Sequence, residues 1–150
     1  AIRHTNIYGP HDKFDLEKSH VFGATITKVL GSKDGKINVW GTGEEERDLL
    51  YIDDLTSFVE KAIVLQNKPY ELFNCGYGSA ISIKDLVNKI VSASGKSLKI
   101  EHDLTQPTIK TSLSLDCSKA KSNLDWSPQT TIDDGIAKTI DWWNKNVKDD

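Results

Sequence analysis

The stretch from Val39 to Asp54, V-W-G-T-G-E-E-E-R-D-L-L-Y-I-D-D, decides the fold that we predict for this chain. It is typical of a strand, a turn that contains glycines, a second strand and the start of a helix. Gly41 and Gly43 permit backbone conformations that other residues disfavour. We therefore expect the turn to bring Trp40 and Arg47 onto one surface.

The pairing of an arginine with a tryptophan indicates a specific kind of ligand. A planar guanidinium fixed beside an indole can bind a phosphate that is joined to a flat base, so we predict this role for Trp40 and Arg47. The alternative is a solvated hairpin in which Arg47 pairs with Glu44 or Asp48, because most surface charges are only solvated.

Turn and cap signals on either side of this stretch predict a single domain of mixed α/β or α+β class. We expect about four to five helices: His20 to about Leu30, about Asp53 to Leu65, one that begins at Ser82 to Asp85, Ser118 to Leu124, and Ile132 to about Asn146. Ser19 is the expected N-cap of the first helix, Ser82 to Asp85 form a capping box, and Thr131 with Asp134 caps the last helix. Short strands are expected at Ile2 to Ile7, Ile37 to Trp40, Leu72 to Cys75, Leu98 to His102 and Leu113 to Asp116.

The composition restricts the classes of partner. The chain has 150 residues, of which 37% are apolar, and a formal charge of −3. That balance gives no general attraction to nucleic acid or to an anionic membrane, so any anion site must be local. No apolar run approaches the ~20 residues of a membrane span and no signal-peptide pattern opens the chain, which predicts a cytoplasmic location.

Cysteines and carboxylates give no sign of a metal site. Cys75 and Cys117 stand alone, without a C-x-x-C or a histidine at metal spacing, so we expect reduced thiols. Zinc, EF-hand, phosphate-loop and nucleophile-elbow patterns do not occur in the sequence. Asp53 and Asp54 could form an acid/base or metal pair, but capping of the following helix explains them better.

Three more polar residues are candidates for a site. His20 lies near a helix start, where the dipole favours the neutral imidazole that can transfer a proton; the alternative is a histidine that packs or caps. Lys28 follows about two helical turns later on the same face, although a solvated lysine is more usual. Asn6 ends a strand before a Gly-Pro turn, where an amide can contact a ligand or stabilise the turn.

Four blocks of sequence, taken in order, resemble a known family. They are R-H-T-N-I-Y-G-P-H-D-K-F-D-L-E-K-S-H-V, V-W-G-T-G-E-E-E-R-D-L-L-Y-I-D-D-L, F-N-C-G-Y-G-S-A-I-S-I-K-D-L-V and W-S-P-Q-T-T-I-D-D-G-I-A-K-T-I-D-W-W. The chain resembles the C-terminal half of the extended short-chain dehydrogenase/reductases, the nucleotide-sugar epimerase/dehydratase family with a Rossmann-type fold. The first block, from Asn6 through His20, is most similar to the GDP-L-fucose synthase branch.

The resemblance implies a role for each candidate residue. His20 matches the histidine assigned as a general acid in the epimerisation steps of that branch. Lys28 falls where the branch has a basic residue, commonly arginine, that contacts the substrate. Trp40 and Arg47 match a tryptophan and an arginine that hold the nucleotide diphosphate.

The resemblance also implies NAD or NADP as cofactor. Thr5, Asn6 and Ile7 match the loop that meets the nicotinamide end of the cofactor and the sugar. The family's G-x-x-G-x-x-G turn and Tyr-x-x-x-Lys pair do not occur here: the residues four beyond Tyr8, Tyr51, Tyr70 and Tyr77 are Asp12, Leu55, Asn74 and Ile81. Because the chain also lacks Met, we expect a fragment or a separately built domain whose dinucleotide-binding domain lies elsewhere.

The predicted function is therefore the nucleotide-sugar-binding portion of an NAD(P)-dependent epimerase/dehydratase, inactive alone and part of a homodimeric parent. Departures from the branch leave the sugar and the base open, because Ser112 stands where it usually carries arginine, Thr108 replaces an acidic residue, and Glu44 to Glu46 are unusually acidic. One alternative is a dehydratase or decarboxylase acting on UDP- or dTDP-sugars. Another is a non-enzymatic domain that binds a nucleotide sugar or a protein partner.

Overall fold

The computed structural model describes residues 1–106 and 111–147, and these ranges form a mixed α/β fold. The helices are α1 Val21–Gly31, α2 Ile52–Leu65, α3 Ile83–Ser94, α4 Ser118–Leu124 and α5 Ile132–Asn146. The strands are β1 Ile2–His4, β2 Asn6–Tyr8, β3 Lys36–Trp40, β4 Glu46–Tyr51, β5 Phe73–Cys75, β6 Ala80–Ser82 and β7 Lys99–Asp103. The predicted fold class and helix number are confirmed. Thr108 lies outside the described residues.

The strands form three small sheets. β1 pairs with β5, and β3 pairs with β7, both in parallel. In the third sheet, β4 lies between β2, which is parallel to it, and β6, which is antiparallel. β3 and β4 therefore belong to different sheets, and the hairpin considered for the Arg47 stretch is wrong.

The turn between β3 and β4 is held by the start of α3. The backbone N–H of Ile83 donates to the Glu45 carbonyl at 2.9 Å, and that of Lys84 donates to the Gly43 carbonyl at 2.9 Å. Gly43 has φ of +77°, and a Cβ atom there would lie 3.1 Å from the Lys84 nitrogen. The positive φ favours glycine at this position, and the close approach leaves little room for a Cβ atom.

The core consists of two clusters on either side of the central strand β4. The first packs α1, α3 and α5 around Tyr8, Phe22 and Tyr51. The second surrounds Phe58 of α2, whose ring meets the Trp126 indole edge-on at a centroid distance of 5.1 Å. Because successive side chains of a strand point to opposite faces, β4 supplies Leu49 to the first cluster and Leu50 to the second.

Two predicted helix caps are confirmed and a third is wrong. The Ser82 hydroxyl accepts from the Asp85 backbone N–H at 3.0 Å, and the Thr131 hydroxyl accepts from the Asp134 backbone N–H at 3.1 Å. α1 begins at Val21, one residue later than expected, and its extended N-cap residue is His20 rather than Ser19. His20 makes no side-chain capping hydrogen bond among the described residues.

The strand predicted at Leu113 to Asp116 is also wrong, since the described residues from 111 to 117 form no strand. They run beside β4, where the Glu46 backbone N–H donates to the Thr111 carbonyl at 3.0 Å. Across residues 1–106 and 111–147, none of the helices has the length and apolar character needed to cross a bilayer.

Candidate functional site

A cavity of about 550 Å³ opens between α1, β3 and the β3–β4 turn. That volume lies in the range of small-molecule sites. Apolar residues of α1 and β3 form much of its wall, and Ile83 at the start of α3 closes one side. Its polar and aromatic lining residues are Ser19, Thr25, Lys28, Asn38, Trp40, Glu45 and Arg47.

Trp40 and Arg47 both lie on the wall of this cavity. β3 buries Ile37 and Val39, which leaves the alternate residue Trp40 57% exposed with its indole available to a ligand. The Arg47 Nη1 donates to the Glu46 carbonyl at 2.8 Å and to the Thr111 hydroxyl at 3.0 Å. These contacts hold the guanidinium in one place. Salt bridges from Arg47 to Glu44 or Asp48 do not occur among the described residues.

Lys28 adds a second cation to the same wall. Its Nζ lies 5.9 Å from the centroid of the Trp40 ring, within the range of a cation–π contact, and donates to the Asn38 carbonyl at 3.0 Å. Burial lowers the pKa of the Lys28 ammonium. An arginine fork, a lysine point charge and an indole on the wall of one cavity are suited to a diphosphate that carries a flat base.

His20 does not line the cavity, although its neighbours Ser19 and Val21 do. Its side chain is exposed just before the first turn of α1. The structure therefore brings Lys28, Trp40 and Arg47 together but leaves His20 outside their cavity. Its proton-transfer role stays a prediction.

The predicted cofactor loop lies beside β4 rather than on the cavity wall. The Thr5 hydroxyl donates to the Asp48 carbonyl at 2.7 Å, and the Asn6 side-chain amide approaches the same oxygen at 3.4 Å. Asn6 is exposed, whereas Ile7 packs against the second core cluster. These contacts fix the backbone of the loop, and its role toward a cofactor also stays a prediction.

Asp48 is a structural residue that sequence reasoning treated only as a partner for Arg47. Its carboxylate is buried and accepts backbone N–H bonds from Tyr77 at 2.8 Å, Gly78 at 3.3 Å and Leu115 at 2.9 Å. A carboxylate directly before the buried apolar run Leu49 to Tyr51 is the sequence signal that could have indicated this role. Its three donors come from distant segments, so local pattern could not identify them.

Asp54 also departs from its predicted capping role. Tyr51 is the N-cap residue of α2, and the buried Asp54 carboxylate accepts backbone N–H bonds from Gln129 at 2.9 Å and Thr130 at 3.0 Å. Asp53 is exposed. Within the described ranges, no group of three or more His, Cys, Asp or Glu side chains is arranged to hold a metal ion.

Most of the residues that line this cavity lie within the match to a family model. The model described as the NAD dependent epimerase/dehydratase family covers residues 1–76, which include α1, β3 and β4. The chain belongs to this family. Membership in the epimerase/dehydratase family agrees with the resemblance carried by the four sequence blocks.

Two relatives of similar sequence are GDP-L-fucose synthases. GDP-L-fucose synthase 1 of Arabidopsis thaliana is 35% identical over an alignment of 150 positions, which covers 95% of this chain and 45% of that protein. GDP-L-fucose synthase of Sinorhizobium fredii is 36% identical over an alignment of 151 positions, which covers 97% of this chain and 46% of that protein. This member of the epimerase/dehydratase family therefore spans a little under half the length of these relatives.

A solved structure supports the same assignment of fold and family. UDP-glucuronic acid 4-epimerase from Bacillus cereus, in complex with UDP-4-deoxy-4-fluoro-glucuronic acid and NAD, superposes with a TM-score of 0.80 at 27% identity. The match covers 96% of this chain and 44% of that one. The predicted Rossmann-type epimerase fold is therefore confirmed for this chain.

Proposed function

We propose that this chain is the nucleotide-sugar-binding portion of an NAD(P)-dependent epimerase/dehydratase of the GDP-L-fucose synthase type. The observation that carries the proposal is the placing of Trp40, Arg47 and Lys28 on one cavity wall. The GDP-L-fucose synthases among the relatives support the epimerase/reductase type. The family description supports a nicotinamide cofactor.

In this proposal, two cations neutralise the diphosphate and the indole packs against the base. Arg47 binds phosphoryl oxygens through a guanidinium held by Thr111, and Lys28 provides the second charge from α1. Holding the diphosphate fixes the direction in which the sugar extends, and such positioning can supply several kcal/mol of a reaction barrier. His20 lies outside this cavity but next to its lining residue Ser19, and in this proposal it donates a proton to the sugar that extends from the diphosphate.

The nicotinamide cofactor would supply hydride transfer. This chain's share of that site is small, because the Thr5 hydroxyl and, more weakly, the Asn6 amide donate to the Asp48 carbonyl, and Asn6 is the exposed polar side chain of the two. We therefore propose that the glycine-rich turn and the Tyr-x-x-x-Lys pair lie in a separate dinucleotide-binding domain. The chain alone should not catalyse turnover, and the parent enzyme is proposed to be a cytoplasmic homodimer.

Calorimetry with GDP, UDP and dTDP tests the binding role. Arg47→Ala should weaken diphosphate binding by about tenfold or more, the usual effect of losing hydrogen bonds to a charged group. Arg3→Ala is the matched control, because it removes the chain's other arginine from an exposed position on β1. Equal affinities for the two variants would show that the proposal is wrong.

Three further measurements test the enzymatic part. The coding sequence upstream of Ala1 should contain a glycine-rich strand-turn-helix and a Tyr-x-x-x-Lys pair, whereas an unrelated neighbour would favour a non-enzymatic binding domain. NAD(P)-dependent sugar turnover by the 150-residue chain alone would contradict its predicted inactivity. Product analysis with the parent enzyme distinguishes epimerisation with reduction from dehydration or decarboxylation.

A further inference from the structure

Two buried polar atoms on the cavity wall have no hydrogen-bond partner within residues 1–106 and 111–147. They are Oε1 of Glu45 and Oγ of Ser19. Glu45 is 6% exposed, so its side chain is almost entirely removed from the protein surface. Buried polar groups in native proteins are nearly always hydrogen-bonded, and an exception calls for a physical reason.

Glu45 cannot easily leave this position. Its carbonyl accepts the Ile83 backbone N–H at 2.9 Å, and the adjoining turn is fixed by the bond between Lys84 and Gly43. The carboxylate is therefore kept beside the cavity although burial without a donor is unfavourable. A group that the fold holds at such a cost is well explained by a ligand that supplies the missing donor.

The cations on the same wall do not serve as that donor. Lys28 donates to the Asn38 carbonyl and Arg47 donates to the Thr111 hydroxyl, while neither forms a salt bridge with Glu45 among the described residues. The cavity thus presents two cations for anionic groups and, separately, an acceptor and a hydroxyl for neutral groups. A ligand suited to it combines phosphates with N–H or O–H donors.

We infer that Glu45 is a specificity-determining residue that accepts hydrogen bonds from N–H or O–H donors of the bound nucleotide sugar, with the Ser19 hydroxyl as a second contact. This inference rests on the proposed function. A carboxylate only accepts, so it favours a ligand edge with two adjacent donors. Guanine offers such an edge in N1–H and the 2-amino group, and a sugar offers it in neighbouring hydroxyls. The uracil edge places carbonyl oxygens on both sides of N3–H and would be repelled.

Glu45→Gln tests the inference, since the amide keeps the shape but replaces the charged acceptor. Binding of GDP-mannose should weaken by about tenfold, as expected for a charge-assisted hydrogen bond. The melting temperature of the ligand-free protein should stay equal or rise, because a neutral amide is less costly to bury than an unpartnered carboxylate. Glu44→Gln is the matched control, since it makes the same change of charge at an exposed neighbour.

Comparison of GDP with inosine diphosphate distinguishes the base from the sugar as the donor. If the base is bound, the loss of the 2-amino group weakens wild-type binding by about tenfold but has little further effect in Glu45→Gln. If the sugar is bound, GDP and inosine diphosphate bind alike and Glu45→Gln weakens only the nucleotide sugar. Either pattern supports the inference.

Other outcomes overturn it. Unchanged affinities in Glu45→Gln, with weakened binding in Arg47→Ala, would remove Glu45 from the site and leave the proposed function intact. Unchanged affinities in both would remove the proposed function as well. A melting temperature lowered by several degrees would assign Glu45 to the fold instead. Ser19→Ala gives a second test, with an expected loss of about threefold for a neutral hydrogen bond.

Discussion

The Asp48 carboxylate accepts a 2.9 Å hydrogen bond from the backbone N–H of Leu115, which lies 67 positions away in sequence. The same carboxylate accepts from Tyr77 and Gly78, and a Cβ atom added to Gly76 would lie 2.7 Å from its Oδ2. One buried side chain therefore joins three segments directly beside Arg47, whose own guanidinium is held by Thr111.

Asp48→Asn should lower the free energy of unfolding by about 2–3 kcal/mol, because the amide presents N–H groups to backbone donors that need acceptors. Urea unfolding measures the change. Asp53→Asn is the control, since Asp53 is exposed in the first turn of α2 and should change stability by less than about 1 kcal/mol. Equal losses in the two variants would argue against a special role for Asp48.

Two helical glycines should respond oppositely to alanine. A Cβ atom at Gly135 would lie 2.1 Å from the Tyr8 hydroxyl oxygen, whereas one at Gly31 meets nothing within 4 Å. We expect Gly135→Ala to cost about 2–3 kcal/mol by overpacking the core and Gly31→Ala to add up to about 1 kcal/mol by restricting the unfolded chain. Thermal unfolding of both variants checks the prediction, and a stable Gly135→Ala protein would contradict this packing.

Alkaline pH should destabilise the chain through Cys75. Burial raises the pKa of this thiol from 9.0 to about 12, so the unfolded chain releases the proton first. The stabilisation is complete below about pH 9 and is lost as pH rises towards 12. Cys75→Ala should reduce the dependence of unfolding free energy on pH by up to about 1.4 kcal/mol per pH unit in this window.

Urea unfolding at several pH values between 8 and 11 compares Cys75→Ala with the wild type. Burial is also the first cause of the raised pKa values of Tyr8 and Tyr51, so the Cys75→Ala variant should keep part of the wild-type dependence of unfolding free energy on pH. Parallel slopes for the two proteins would mean that Cys75 does not ionise on unfolding.

Lys28→Met should weaken binding of a nucleoside diphosphate by about tenfold and reduce its dependence on salt, because the charge is lost while much of the apolar stem is kept. Since burial lowers the pKa of Lys28, wild-type affinity should fall at alkaline pH earlier than an exposed lysine would predict. Lys33→Met, at an exposed turn, is the control. Calorimetry at two salt concentrations gives the affinity and its dependence on salt. The same salt dependence for Lys28→Met and the wild type would exclude Lys28 from the site.

Local chemistry accounts for what the sequence could predict. The caps at Ser82 and Thr131 depend on donors three residues away, so they follow from neighbouring residues. The turn between Trp40 and Arg47 is also a local feature, because its glycines permit the backbone conformations that it needs. The extended segment before Cys117 has the alternation of a strand, but its acceptor is a side chain of β4. Alternation of apolar and polar residues cannot distinguish a strand that pairs with another strand from a segment whose backbone N–H donates to a side chain.

The burial of Glu45 was equally invisible in the sequence. It stands between Glu44 and Glu46 in an acidic run, and such a run is usually a solvated surface. In the fold, the Ile83 backbone N–H donates to the Glu45 carbonyl and the Glu45 side chain is buried, whereas Glu44 is exposed. The N-cap error has a similar cause, because Ser19 turns its hydroxyl into the interior beside the cavity and leaves the cap position to His20.

Trp40 and Arg47 belong to separate sheets that meet at the turn fixed by α3. The distance between their side chains therefore depends on how the two sheets are positioned relative to each other, and the contact between Gly43 and Lys84 fixes the turn that connects them. A change in the packing of α3 would widen or narrow the gap between indole and guanidinium without altering either residue. Substitutions remote from the ligand thus offer a route by which proteins of this architecture can adapt to bases and sugars of different size.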